Sequence, residues 1–415
     1  MSTLAQDPRL AMERGDLRGL IALARRRIRQ GEIGSLPVVL GLVIIAIIFQ
    51  SLNSHFLTPL NLTFLFIQIS AVGTIAVGVV LVLLLGEIDL SVGAVSGVCA
   101  AVMAVLSVRQ GLAGPLAVLA GVIAGAGIGA LQGWWITKLR VPSFIVTLAG
   151  LLGWQGVLLY LLGTEGTINI SDPFITGIVN TRLPVAVGWV IGVALVGGVG
   201  AATLMSRARR QRTGLTLEPL TIAVLRLTVI AAGVLGAVAL MSVNRAHAGL
   251  ERIAGVPTAV VVLLAFVVGF DLLTRRTRFG RYVYAVGGNA EAARRAGINV
   301  DLIRITVFVL SSTLAACGGI VAASRLYAVN QSSGSGDLLL NAIAAAVIGG
   351  TSLFGGRGYV WSALLGALVI GSIANGMNLL ALSSSVKFMI TGAVLLLAVT
   401  IDAISRRGRQ AAGRA

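Results

Sequence analysis

An all-α, polytopic membrane protein of about twelve transmembrane helices is the fold this sequence predicts, and three observations predict it. Hydrophobic residues fill 57% of the 415 positions and charged residues only 11%, against roughly 25% charged in soluble domains. Many apolar runs reach the ~20 residues that cross a bilayer as helix. The 32 Lys and Arg residues cluster between those runs, as topology-setting loops do.

Residues 1–35 make a charged leader with Arg9, Arg14, Arg18, Arg25, Arg26, Arg27 and Arg29. It shows no short apolar core with a small-residue cleavage site, so it is expected to stay cytoplasmic, either as a plain anchor of topology or as a surface helix. The transmembrane domain is expected over 36–404. Its first crossings are Leu36–Leu52, Leu62–Leu85, a run ending at Leu106, and Pro115–Ile136. Trp134-Trp135 before Lys138 and Arg140 marks an inner boundary. Ser143–Leu162, Val185–Met205, Thr221–Val243 and Pro257–Leu273 follow. Ile305–Ala323, Leu338–Phe354, Tyr359–Leu380 and Val386–Ile404 complete the set, before a cytoplasmic tail from 405. Leu338–Phe354 either spans or re-enters, because Asn341 and Gly349-Gly350-Thr351 interrupt it. Gly163–Pro184 and Leu326–Asp337 read as polar outer segments.

With both termini inside, all but six of the 32 basic residues fall on the inner side. The six are Arg109, Arg182, Arg245, Arg252, Arg325 and Lys387. This asymmetry explains the +17 net charge by orientation, without a nucleic-acid partner. Cys99 and Cys317 lie in apolar runs and read as small core residues, with no metal spacing.

The longest polar interval is Arg275–Arg304, with seven arginines between two apolar runs. Gly287-Gly288 is expected to break the preceding segment, Asn289 to cap a short helix and Gly297 to end it. A helix of about two turns is too short to stand alone. It either docks on another protein or is part of a solvated, topology-fixing loop.

A second polar break, Gly86–Gly93, carries Glu87, Asp89 and Ser91 between apolar runs. Asp89 or Ser91 either caps the third helix or lines a translocation cavity. Gly349–Gly358 echoes it weakly, and paired broken segments often bracket a substrate path. Gln68, Asn341, Asn375 and Asn378 are candidates for a weakly polar path or for interhelical hydrogen bonds.

Catalytic constellations are missing. The chain has no GxxxxGK[ST] phosphate loop, no HExxH and only two histidines. No chain of intramembrane carboxylates and histidines suggests a proton relay. Two classes remain: a membrane subunit driven by a separate ATPase, and an ion-coupled secondary transporter with Glu87 and Asp89 as its ion site.

Four stretches carry a resemblance: GEIDLSVGAVSG (86–97), VPSFIVTLAG (141–150), TRFGRYVYAVGGNAEAARRAGINV (277–300) and NAIAAAVIGGTSLFGGRG (341–358). They resemble permeases of bacterial ABC sugar importers of the ribose/xylose/galactoside group. GWWITKLRVPSFIVTLAG and the added segment 207–273 are similar to its xylose-transporting members, which implies D-xylose as the substrate. The resemblance implies a type II-like importer in the bacterial inner membrane. Its parts would be a permease homodimer, cytoplasmic ATPase subunits that bind the ATP, and a periplasmic sugar-binding protein. No cofactor of the chain's own is implied. In that family the segment after the GGN triplet is the coupling helix. Here that implies Gly288, Asn289, Glu291, Ala292, Arg294 and Gly297 as contacts to the ATPase. The 86–93 break would lie beside the translocation path.

Overall fold

Helix after helix follows the apolar runs in a computed structural model of the chain. It describes residues 36–213, 220–246 and 253–411. The leader, Arg252 and residues 412–415 lie outside the described residues. In chain order the helices are α1 (Leu36–Leu52), α2 (Pro59–Leu84), α3 (Val92–Ala104), α4 (Gly114–Lys138), α5 (Ser143–Leu162) and α6 (Pro173–Asn180). Next come α7 (Val185–Arg212), α8 (Leu220–Ser242), α9 (Thr258–Arg276), α10 (Arg278–Gly288) and α11 (Ala290–Arg295). The last are α12 (Val300–Leu326), α13 (Gly336–Ile348), α14 (Trp361–Leu379) and α15 (Ser384–Ala411). A π turn, Val105–Arg109, extends α3.

Among the described residues, nine helices are long and apolar enough to cross a membrane. They are α2, α3 with its π turn, α4, α5, α7, α8, α9, α12 and α14. Three shorter apolar helices, Pro37–Leu52, Asp337–Ile348 and Ser384–Leu397, accompany them. The protein is therefore a multi-pass membrane protein built of helices.

The chain divides into two compact units. Among the described residues, the larger one holds 36–181 and 257–406, and its centre is α2 with α12. Small residues let these backbones close up. Gly78 of α2 faces the Ser311 backbone of α12, and Gly319 of α12 abuts Ser96 of α3. On α4, Gly125, Gly129 and Gly133 recur every fourth residue. They meet Ser312, Phe308 and Ile305 of α12 in turn. Spacing by four keeps them on one face of the helix. Chain punctuation is local. Thr58 Oγ1 accepts from Asn61 N at 3.4 Å before α2, and Asp172 Oδ1 accepts from Phe174 N and Ile175 N before α6.

Among the described residues, the smaller unit covers 182–213, 220–246, 253–256 and 407–411. There α7 packs on α8, with Gly192 against Val238 and Leu235. Its loop is tied by Arg245, whose guanidinium donates to the carbonyls of Met241 and Gly255.

The segment 163–184, expected as a polar loop, contains α6, whose Ile175 and Val179 are buried. It also contains a strand, β1 (Thr167–Asn169). That strand pairs antiparallel with β2 (Ala328–Asn330), Ile168 opposite Val329. Backbone pairing satisfies both segments where helix would not form. The apolar run 338–354 is helical only in its first part. Helix α13 has 13 residues, about 20 Å at 1.5 Å per residue, and stops at Ile348. Gly350 follows at φ +106 and Gly355, Gly356 and Gly358 are also at positive φ.

Candidate functional site

The polar loop 275–304 folds into two short helices. Thr277 turns the chain, and its Oγ1 accepts from Gly280 N at 3.3 Å to start α10. Val283 and Val286 bury its inner face. The glycine pair does not break this helix; it forms its last turn, because Gly287 must lie against the Leu84 carbonyl, where a Cβ has no room. Asn289 makes the break instead. It is extended (φ −161°, ψ 102°), and its Oδ1 accepts from Ala292 N at 2.9 Å. Glu291 pairs with Arg294 at 3.3 Å and Arg295 at 3.1 Å. Such exposed pairs add only a few tenths of a kcal/mol. Gly297 (φ +83°) ends the turn, and Asn299 Oδ1 accepts from Leu302 N at 3.0 Å to start α12.

In α11 only Ala293 is buried. Gly288, Asn289, Glu291, Ala292, Arg294 and Gly297 are all exposed. The turn is thus presented outward on one small apolar anchor. Its neighbour α10 is held more firmly. Tyr284 donates its hydroxyl to the Gly358 carbonyl at 2.8 Å. Burial pushes the phenol's pKa up, against the opposing Arg275 charge, so the group keeps the proton it donates.

Both polar breaks reach this loop. The Gly356 N–H donates to the Leu84 carbonyl at 2.9 Å. Gly86 (φ +76°) and Gly355 (φ +82°) sit in left-handed conformations beside it. A Cβ on Gly355 would fall 2.7 Å from Gly287 O and 2.8 Å from Gly86 N. Three backbones therefore meet with no side chain between them: the end of α2, the last turn of α10 and the 349–358 turn. Glycine is the residue that permits this. Beside the junction, Glu87 Oε1 stands 3.1 Å from Arg304 Nη2 on α12.

From Gly86 the chain climbs non-helically along α5. Thr147 Oγ1 donates to Ile88 O at 3.3 Å, and Ser91 Cβ faces Gly150 two turns from the start of that helix. Helix α3 therefore begins inside the bundle, at Val92. Gly93 and Gly97 there lie against the Gly334 and Ser333 carbonyls, just before α13. The start of α3 thus touches the 331–335 turn that precedes α13. Irregular backbone at this depth is tolerated because protein covers it.

The capping expectation for Asp89 and Ser91 is corrected. Ser91 has helical angles and makes no side-chain bond to the first turn. Asp89 Oδ1 instead accepts from Ser91 N (2.9 Å) and Ser91 Oγ (2.7 Å). Ser91 Oγ in turn accepts from Gln132 Nε2 of α4 at 2.9 Å. Asp89 Oδ2 is buried without a partner among the described residues. It borders a small apolar cavity with Val79, Leu83, Ile343 and Leu353.

The remaining path candidates do not gather there. Gln68 lies on α2, with its Oε1 buried and unpartnered among the described residues. Asn341 is half-buried on α13. Asn375 exchanges two amide hydrogen bonds with Asn61, at 2.8 and 3.0 Å, an interhelical link between α14 and α2. Asn378 is exposed and accepts from Lys387 Nζ at 2.6 Å. Sequence reasoning missed Gln132 and Arg304. Gln132 is a lone amide in a Gly/Ala-rich run, which was its only signal. Arg304 was hidden among seven arginines of one loop.

The model of the family described as "Branched-chain amino acid transport system / permease component" matches residues 61–399. The chain is 39% identical over 357 residues to the xylose transport system permease protein XylH of Escherichia coli (strain K12), covering 86% of this chain and 88% of that one. It is 35% identical over 384 residues to the protein of the same name from Haemophilus influenzae, covering 90% and 98%. The ribose import permease protein RbsC of Bacillus subtilis (strain 168) is 35% identical over 373 residues, covering 90% and 94%. No solved structure matches. The chain belongs to the permease-component family of branched-chain amino acid transport systems and their relatives.

Proposed function

We propose that this chain is the membrane-spanning permease subunit of an ATP-driven importer of a monosaccharide, D-xylose first. The sugar rests on the full-length relatives named for xylose and ribose import. We place it in the bacterial inner membrane as a homodimer with both termini cytoplasmic. A cytoplasmic ATPase binds the ATP, and a periplasmic binding protein delivers the sugar. The orientation is supported by the uneven spread of Lys and Arg, with only six on the outer side. On this reading the chain crosses twelve times, two of the crossings being broken at 86–93 and 349–358.

The observation that carries the proposal is the placement of α11. Its candidate contact residues are exposed, while its neighbours α10 and α12 are joined to both breaks. Closure of the ATPase subunits displaces α11, and the helices behind it shift the breaks between outward- and inward-open arrangements. Gly297→Pro or Glu291→Arg abolishes sugar uptake in cells while membrane insertion stays normal. Normal uptake by both variants refutes the docking role.

The ion-coupled reading has less support, because Glu87 is engaged by Arg304 rather than open to a cation. It requires uptake into vesicles driven by an ion gradient with no ATPase present.

A further inference from the structure

We infer that Glu87 and Arg304 form a positioning strut that sets how much sugar moves per ATP consumed. The inference rests on the reading of α11 as the ATPase contact. Arg304 lies in the second turn of α12, nine residues beyond Arg295. The connection between them is short and tied: Ile298 N donates to Ala293 O at 3.1 Å, Asn299 caps α12, and Val300 and Ile303 are buried. Displacement of α11 therefore reaches Arg304 with little slack. Glu87 stands two residues before Asp89, inside the break that climbs to α3.

The pair is largely withdrawn from water, with side chains 28% and 16% exposed. Salt screens such a pair much less than a surface one. A charge left alone there is costly, so the two groups travel together. The contact runs through Arg304 Nη2, and Arg304 Nε is buried with no partner among the described residues. A single-armed contact holds the break to α12 yet can re-form as the helix turns. The glycine junction and Tyr284 tie the same loop to the 349–358 turn by a separate route. Loss of the strut thus weakens the link to one break and leaves the loop itself in place.

The test uses the whole importer in liposomes, with D-xylose uptake and ATP hydrolysis measured on the same vesicles. Arg304→Gln and Glu87→Gln each keep the ATPase subunit bound through purification and keep ATP hydrolysis stimulated by the binding protein. Each lowers sugar moved per ATP by roughly ten-fold, within the range by which single contacts modulate coupling between distant sites. The double variant loses no more than either single one. The exchanged pair, Glu87→Arg with Arg304→Glu, recovers most of the ratio. An unchanged ratio in the single variants overturns the strut, as does additive loss in the double. If the single variants fail to assemble and the exchange restores only assembly, the pair serves stability and the proposal falls. If the unmodified chain recruits no ATPase, the proposed function fails first, and that result is visible before any variant is made.

Discussion

Helices α2 and α8 are equally greasy, with mean hydropathies of 2.4 and 2.2, yet 83% of one apolar window is buried in protein and only 11% of the other. The contrast extends to their glycines. Gly78 on α2 touches the Ser311 backbone, whereas Gly233 and Gly236 on α8 have open space around them. Apolarity places a helix in a membrane, because lipid and protein interior are alike to an aliphatic side chain. Close backbone packing, not hydropathy, separates the centre of the larger unit from the helix pair of the smaller one.

The largest effect that sharpens this contrast is steric. Gly319→Leu drives a side chain into the Ser96 backbone, and overpacking of this kind costs about 3 kcal/mol or more. Loss of folded protein after detergent extraction, read by size exclusion, is the expected result; a normal profile breaks the assignment of α12 to the core. Next comes Gln132→Ala, which strips Ser91 of a buried donor and lowers thermal stability by about 1–3 kcal/mol. Asn375→Ala follows. It opens the Asn61 amide pair and costs about 0.6 kcal/mol, the average for such bonds in a membrane, measured by a double-mutant cycle with Asn61→Ala. Gly233→Leu on α8 is the smallest, within about 0.5 kcal/mol of the unmodified chain. A large loss there shows that α8 has a partner surface not formed by this chain.

Much of the 275–304 loop was legible from sequence. Asn289 as cap and Gly297 as terminator need only local backbone chemistry, and both occur as expected. The glycine pair was misjudged because its reason is distant. Gly287 serves a contact with Leu84, some two hundred positions away in the chain, and no local rule registers that. Of the two readings open for Asp89, the cap is the one that does not form. A carboxylate before a helix reads as a cap, but Asp89 accepts from Ser91, and Gln132 donates to Ser91 in turn once α4 packs alongside.

The chain by itself determined that it would be a stack of membrane helices, where its most basic loop falls, and how the short helix after Asn289 begins and ends. Those outcomes depend on transfer of apolar side chains from water and on hydrogen bonds spanning a few residues. Tertiary structure alone decided which greasy helices lie at the centre, that the breaks at 86–93 and 349–358 meet at Gly86 and Gly355, and that Glu87 meets Arg304. These depend on which surfaces fit one another at close range, and that fit is a property of residues far apart in sequence.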